Sequence, residues 1–110
     1  MGIRIERINS LIQEELSQLI REEIPPDQYG WISITGVKTA PDLSEAHVFI
    51  TVFPEHLEGK ALEKLNKMGG YLRRYLSKRI RAKTVPRLRF EIDNLTKLVE
   101  KGVIEPPEVG

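Results

Sequence analysis

The sequence predicts an α+β domain in the order α-β-β-α-α-β, a three-stranded sheet with its helices packed on one face. Three observations predict it. Residues 3–23 and two stretches on either side of a Gly-Gly pair repeat apolar residues every three or four positions. Residues 31–40, 45–53 and 87–93 alternate apolar and polar side chains, the period of a strand covered on one side only. The link between the first two alternating segments is too short for a crossover, so they pair as an antiparallel hairpin.

The first helix takes its stripe from Ile5, Ile8, Ile12, Leu16 and Leu19, widened by Leu11 and Ile20. Arg4, Arg7, Glu14, Glu15, Arg21 and Glu22 fall on its other side. Pro25 and Pro26 end it, because proline cannot continue the hydrogen-bond ladder, and Asp27 to Gly30 reads as a turn. In the first strand Ile32 and Ile34 share a face, and Gly36 marks a bulge or a close approach. Pro41-Asp42-Leu43-Ser44 is a turn. In the second strand Ala46, Val48, Ile50 and Val52 face one way, and His47, Phe49, Thr51 and Phe53 the other. His47 is expected on the outer sheet face, exposed or lightly paired.

Pro54 closes that strand, and a helix follows from about residue 57 or 59 to Lys67, with Ala61, Leu62 and Leu65 inward. Gly69 and Gly70 are expected to break the chain between two helices. The next helix runs to about Arg81, with Leu72, Leu76 and Ile80 on its apolar side. Arg74, Lys78 and Arg81, spaced four and three apart, form one row along it. In the last strand Leu88, Phe90 and Ile92 point inward and Arg87, Arg89 and Glu91 outward. Residues 1–95 are expected to form the domain and 96–110 a partly flexible tail, with one or two helical turns around Leu95, Leu98 and Val99.

The functional signal is a charge imbalance. The chain's net charge is only +1, yet residues 60–89 hold eleven of its 17 basic residues and a single acid, Glu63. That stretch carries +10, residues 1–59 carry −6 and residues 90–110 carry −3. Local fields of this kind, rather than the total, steer partners. A row of like charges destabilises its own helix, so it points to an anionic partner. Candidate contacts are Lys60, Lys64, Lys67, Arg73, Arg74, Lys78, Arg81 and Lys83, with Arg87 and Arg89 extending the patch onto the sheet edge. Gly69 and Gly70 would let a phosphate backbone approach closely. Tyr71 could stack on a base or sit partly buried in the core; Tyr75 falls nearer the apolar stripe.

Other classes of function are poorly served. The chain has no cysteine and two histidines, His47 and His56, nine residues apart, so no metal site is expected. Asp27, Asp42, Glu91 and Asp93 form no legible nucleophile–base arrangement, and no phosphate-loop or dinucleotide signature is present. An enzyme is therefore not expected, nor a cofactor. No apolar run approaches the length of a membrane span, and the N-terminus lacks the apolar segment of a signal peptide. A cytoplasmic location follows as the expectation.

The element order, with its helix–Gly–helix centre, resembles a type II KH domain, a nucleic-acid-binding fold. The local text is similar to the bacterial ribosome-binding factor A family. Arg4, Arg7, Ile12, Glu15 and Leu16 match a first-helix pattern R-x-x-R-x-x-x-x-I-x-x-E-L. Val37, Ala40, Pro41-Asp42-Leu43, Ala46, Val48, Thr51 and Val52 match the hairpin segment. Leu65-Asn66, Gly70, Leu72-Arg73, Leu76, Ile80, Lys83, Pro86, Leu88, Phe90 and Asp93 match the segment from the central helices to the last strand. The family's Ala-x-Gly kink is replaced here by Met68-Gly69-Gly70, and its Asp-Pro-Arg after the first helix by Pro26-Asp27-Gln28. The resemblance implies an assembly factor that binds the small (30S) ribosomal subunit and 16S rRNA and aids late maturation near the rRNA's 5′ end; a monomer is expected. The alternative is a single-stranded nucleic-acid-binding or protein-interaction module of the same fold.

Overall fold

The computed structural model describes residues 2–81 and 84–102; Lys83, one of the expected contacts, lies outside them. Helix α1 (Gly2–Glu23) is followed by a one-turn helix α2 (Pro26–Tyr29), strand β1 (Trp31–Thr39) and strand β2 (Glu45–Phe53). A 3-10 turn (Glu55–Leu57) leads into α3 (Glu58–Lys67), then α4 (Gly69–Arg79), β3 (Arg87–Ile92) and α5 (Asn94–Glu100). The sheet order is β1-β2-β3. β1 and β2 are antiparallel, as the short link requires, whereas β3 runs parallel to β2. Parallel neighbours need a crossover, and α3 with α4 supplies it.

The core lies between the sheet and the helices. Ile12, Leu16, Ala46, Val48, Ile50, Ala61, Leu65, Leu72 and Leu76 are fully buried, which confirms the inward face of β2 and the stripes of α1, α3 and α4. Thr35 has no register partner: Ile34 pairs with Ile50 and Gly36 with Phe49. This bulge, beside the glycine expected to mark one, moves the inward set from Ile32 and Ile34 to Val37 and Thr39. A Cβ on Gly36 would meet nothing within 4 Å, so the bulge and not close packing accounts for the position. α1 secures edge strand β1 through side chains one turn apart: Gln13 Nε2 donates to the Ile34 carbonyl at 3.0 Å, and Asn9 Oδ1 accepts from the Thr39 amide at 3.1 Å.

Three expectations change. Pro26 does not only stop α1; it begins α2 in place of a simple turn, because proline's fixed φ suits the first position of a helix. Gly30 then turns the chain at φ +80° and ψ 174°, and a Cβ there would sit 2.8 Å from the Phe53 carbonyl oxygen. The break between the central helices falls on Met68 (φ −86°, ψ 2°) and not on the glycines. Gly69 and Gly70 are the first residues of α4, and neither has a positive φ. Finally α4 stops at Arg79, since Ile80 turns extended (φ −102°, ψ 124°) and buries its side chain in the core. Arg81 therefore lies beyond the helix.

α5 straddles residue 95. Asp93 caps it, its Oδ1 accepting from the Thr96 amide at 3.0 Å. Oδ2 accepts from the hydroxyls of Thr96 and of the bulged Thr35. Lys97 ties the helix back to Glu58 at 2.7 Å and Glu55 at 3.2 Å.

Candidate nucleic-acid interface

α3 and α4 present the expected cations on the helical side of the molecule, and the partners of those cations divide them. On α3, Lys60 and Lys64 place their Nζ atoms 5.2 and 5.6 Å from the centre of the Tyr29 ring, a cation–π arrangement. α2 brings that ring beneath them, a role the sequence did not show. Lys67 pairs with Glu63 at 2.8 Å, one helical turn away, and that hydrogen bond raises its pKa. On α4, Arg73 Nε donates to the Val85 carbonyl at 3.0 Å, which fastens the helix to the segment before β3. Arg79 lies 4.9 Å from the Tyr75 ring centre.

Arg74, Lys78 and Arg81 are exposed and take part in no ion pair among the described residues. Tyr71, Arg74, Tyr75 and Lys78 line one shallow depression of 280 Å³. Their spacing of three, one and three puts two rings and two cations on one helical face. Tyr71 is 37% exposed and donates its hydroxyl to Glu23 at 2.9 Å, so the ring stands at the surface and is not a core ring. Tyr75 is half-buried against the core. The glycines contribute bare backbone: a Cβ on Gly69 would meet nothing, and one on Gly70 only the Arg74 guanidinium at 3.6 Å. Nothing inside the molecule demands glycine at either site.

Arg87 and Arg89 do not continue this face. They alternate with the buried Leu88 and Phe90 and so point away from the helices, onto the outer face of the sheet. There Arg87 lies opposite Glu45 in register and Arg89 opposite His47. Arg89 also approaches Glu45, at 4.0 Å. His47 holds Glu91 through Nδ1 at 3.0 Å and Glu45 through Nε2 at 3.1 Å. The bond to Glu91 raises its pKa, against some burial, and the bond to Glu45 adds to it. The same face exposes Trp31 (67%) and Phe53 (72%), directly opposite one another across β1 and β2.

Among the described residues no group of three His, Asp or Glu side chains could hold a metal ion. No described helix is long and apolar enough to cross a membrane.

Known proteins resemble this chain in fold and in sequence. A crystal structure of ribosome-binding factor A from Thermus thermophilus superposes with a TM-score of 0.70 over 80% of this chain and 94% of its own, at 24% identity, a likeness of fold. A Thermus thermophilus ribosome binding factor A model fitted into the map of its complex with the 30S subunit gives a TM-score of 0.59 at 25% identity, covering 74% of this chain and 90% of its own. Ribosome-binding factor A of Acinetobacter baumannii is 38% identical over 97% of this chain and 92% of its own length. That of Pseudomonas aeruginosa is 39% identical over 93% and 87%. The family model for ribosome-binding factor A matches residues 4–101, nearly all the described structure, and the chain belongs to that family.

Proposed function

We propose that this chain is an assembly factor that binds the small (30S) ribosomal subunit, contacts 16S rRNA through the α3–α4 face, and aids late maturation of that rRNA. The observation that carries the reading is Arg74 and Lys78 beside the Tyr71 and Tyr75 rings, with Arg81 just past the end of α4, all three left without acid partners among the described residues, in a chain of this family. Cations free of local carboxylates gain most from phosphates, because no existing ion pair has to be broken. The relative fitted into a 30S complex supports the small subunit as the target.

Lys60, Lys64 and Lys67 extend the contact along α3, and the bare backbone at Gly69 and Gly70 lets RNA approach the bend. Tyr71 offers a ring for one base. Arg73 steadies α4 as well as adding charge. Arg87 and Arg89, which face outward from the sheet, contribute more weakly, through their field. Phosphate contacts of this kind set affinity and register, and the shape of the rRNA sets specificity. The factor acts as a monomer in the cytoplasm.

The exposed Trp31 and Phe53 pair favours a second reading, a protein-binding surface on the outer sheet face. Binding of R74E/K78E and of W31A/F53A to small subunits separates the two. The α3–α4 reading predicts that the first variant fails and the second binds normally; the reverse pattern moves the interface to the sheet.

A further inference from the structure

α1 and α4 pack antiparallel. Tyr71, near the start of α4, is bonded to Glu23 at the end of α1, whereas Ile80 and Arg81, past the end of α4, line one cleft with Arg4, Arg7 and Ile8 near the start of α1. The eleven residues of α4 span about 16 Å at 1.5 Å per residue. Its unpaired cations therefore lead away from the bend and end in a second place. That place is a cleft of 480 Å³ between the start of α1, the β1–β2 turn and the residues Ile80, Arg81 and Thr84. Three guanidiniums, Arg4, Arg7 and Arg81, line it, and Ile8, Leu43 and Ile80 contribute apolar walls.

Among the described residues the acid that lines this cleft is Asp42, and it is occupied. Its Oδ1 accepts from the Ser44 amide at 3.0 Å and from the Ser44 hydroxyl at 2.6 Å, and it pairs with none of the three arginines. Three fixed positive charges against one turn-bound carboxylate leave an excess of about two. Arginine's planar fork suits a phosphate held from two sides. An apolar wall beside it suits the flat face of a base, and the volume falls in the range of small-ligand clefts, about 300–1,000 Å³.

We propose that this cleft is a nucleotide subsite of the RNA interface, in which Arg4, Arg7 and Arg81 hold one backbone phosphate and the Ile8–Leu43–Ile80 wall receives the adjoining nucleoside. The proposal rests on the RNA-binding reading above and adds a second anchor, past the end of α4 from the depression lined by Tyr71, Arg74, Tyr75 and Lys78. Arg4 and Arg7 then belong to the interface, although they lie outside the basic stretch of residues 60–89.

The test is titration of methyl-labelled protein with a single-stranded oligoribonucleotide of about ten residues, followed by NMR, beside small-subunit binding of R4A/R7A. The proposal predicts saturable shifts at the Ile8, Leu43 and Ile80 methyls, lost in R4A/R7A and kept, at weaker affinity, in R74E/K78E. It predicts about ten-fold weaker subunit binding for R4A/R7A and a salt dependence shallower by about one phosphate contact or more, on the order of 0.7 in the log–log slope. Methyls that stay still while Leu72 and Leu76 shift would overturn the cleft and leave the RNA reading intact. Equal shifts with adenosine monophosphate alone would overturn the strand assignment and make the cleft a free-nucleotide pocket. If neither oligoribonucleotide nor small subunits bind the wild-type protein, the functional reading falls and the subsite with it.

Discussion

The two faces of the domain use their charged side chains differently. On the outer sheet face the charges close on one another. His47 lies between Glu45 and Glu91, Arg89 leans on Glu45, and Lys97 and Lys101 share Glu55. On the α4 face Arg74 and Lys78 stand beside two aromatic rings and make no ion pair among the described residues. The first arrangement is complete without a partner, and the second is not. A basic stretch in sequence therefore marks a region, while the ion pairs, ring contacts and hydrogen bonds made inside the molecule show which of its cations are already engaged.

The largest effect should come from reversing the open face. R74E/K78E is expected to lose small-subunit affinity by on the order of 100-fold, about 2.7 kcal/mol, with an unchanged melting temperature because both side chains are exposed. A parallel drop in melting temperature would assign these residues to stability and erase the contrast between the faces. Next in size is Gly30→Ala, which forces a side chain into a backbone region that favours glycine and against the Phe53 carbonyl. A loss of about 2–3 kcal/mol in a denaturant titration is expected, with RNA affinity per folded molecule preserved. Asp93→Ala removes the α5 cap and the anchor of Thr35; about 1–2 kcal/mol of stability should go, again without loss of binding.

Smaller effects sharpen the comparison on the sheet side. R87A/R89A should weaken binding only about three-fold, less than 1 kcal/mol, since Arg89 already approaches Glu45. A loss as large as that of R74E/K78E would make the sheet edge an equal part of the interface. The smallest effect is a pH dependence. Both His47 nitrogens meet carboxylate oxygens, an arrangement that suits the imidazolium, and its folded pKa is raised by Glu91 first and Glu45 after. The stabilisation is therefore fully present below the unfolded value near 6.5 and is lost as pH rises through the higher folded value. Lys38 and Arg89, its register neighbours, oppose the charge. The melting-temperature gap between wild type and His47→Gln should be wider at pH 5.5 than at pH 8.5.

Much of this fold was legible because the signals were local. Alternation along Ala46–Val52 and the three–four spacing of Ile12, Leu16 and Leu19 need no knowledge of distant residues. What was not legible depends on tertiary context. Gly69-Gly70 reads as a break, but helical backbone is also open to glycine, and the half-buried Met68 takes the bend. The Arg74–Lys78–Arg81 row assumes a helix through residue 81, whereas burial of Ile80 ends it. α5 is the exception: it covers the helical turns expected around Leu95, Leu98 and Val99, and its Asp93–Thr96 cap was also there to be read. The outward direction of Arg87 and Arg89 was legible from strand period alone; that the helices cover the opposite face was too, and together these separate the two arginines from α4. That Arg4, Arg7 and Arg81 line one cleft follows only once α1 and α4 are known to be antiparallel.

The most direct test of the central claim is cosedimentation of the wild-type protein with isolated small subunits, large subunits and assembled ribosomes across a salt series. The account predicts selective retention on small subunits, weakened steadily by salt with a log–log slope of about −2 to −4, as expected for three to five phosphate contacts. Equal retention on all three particles, or small-subunit binding indifferent to salt, would contradict it.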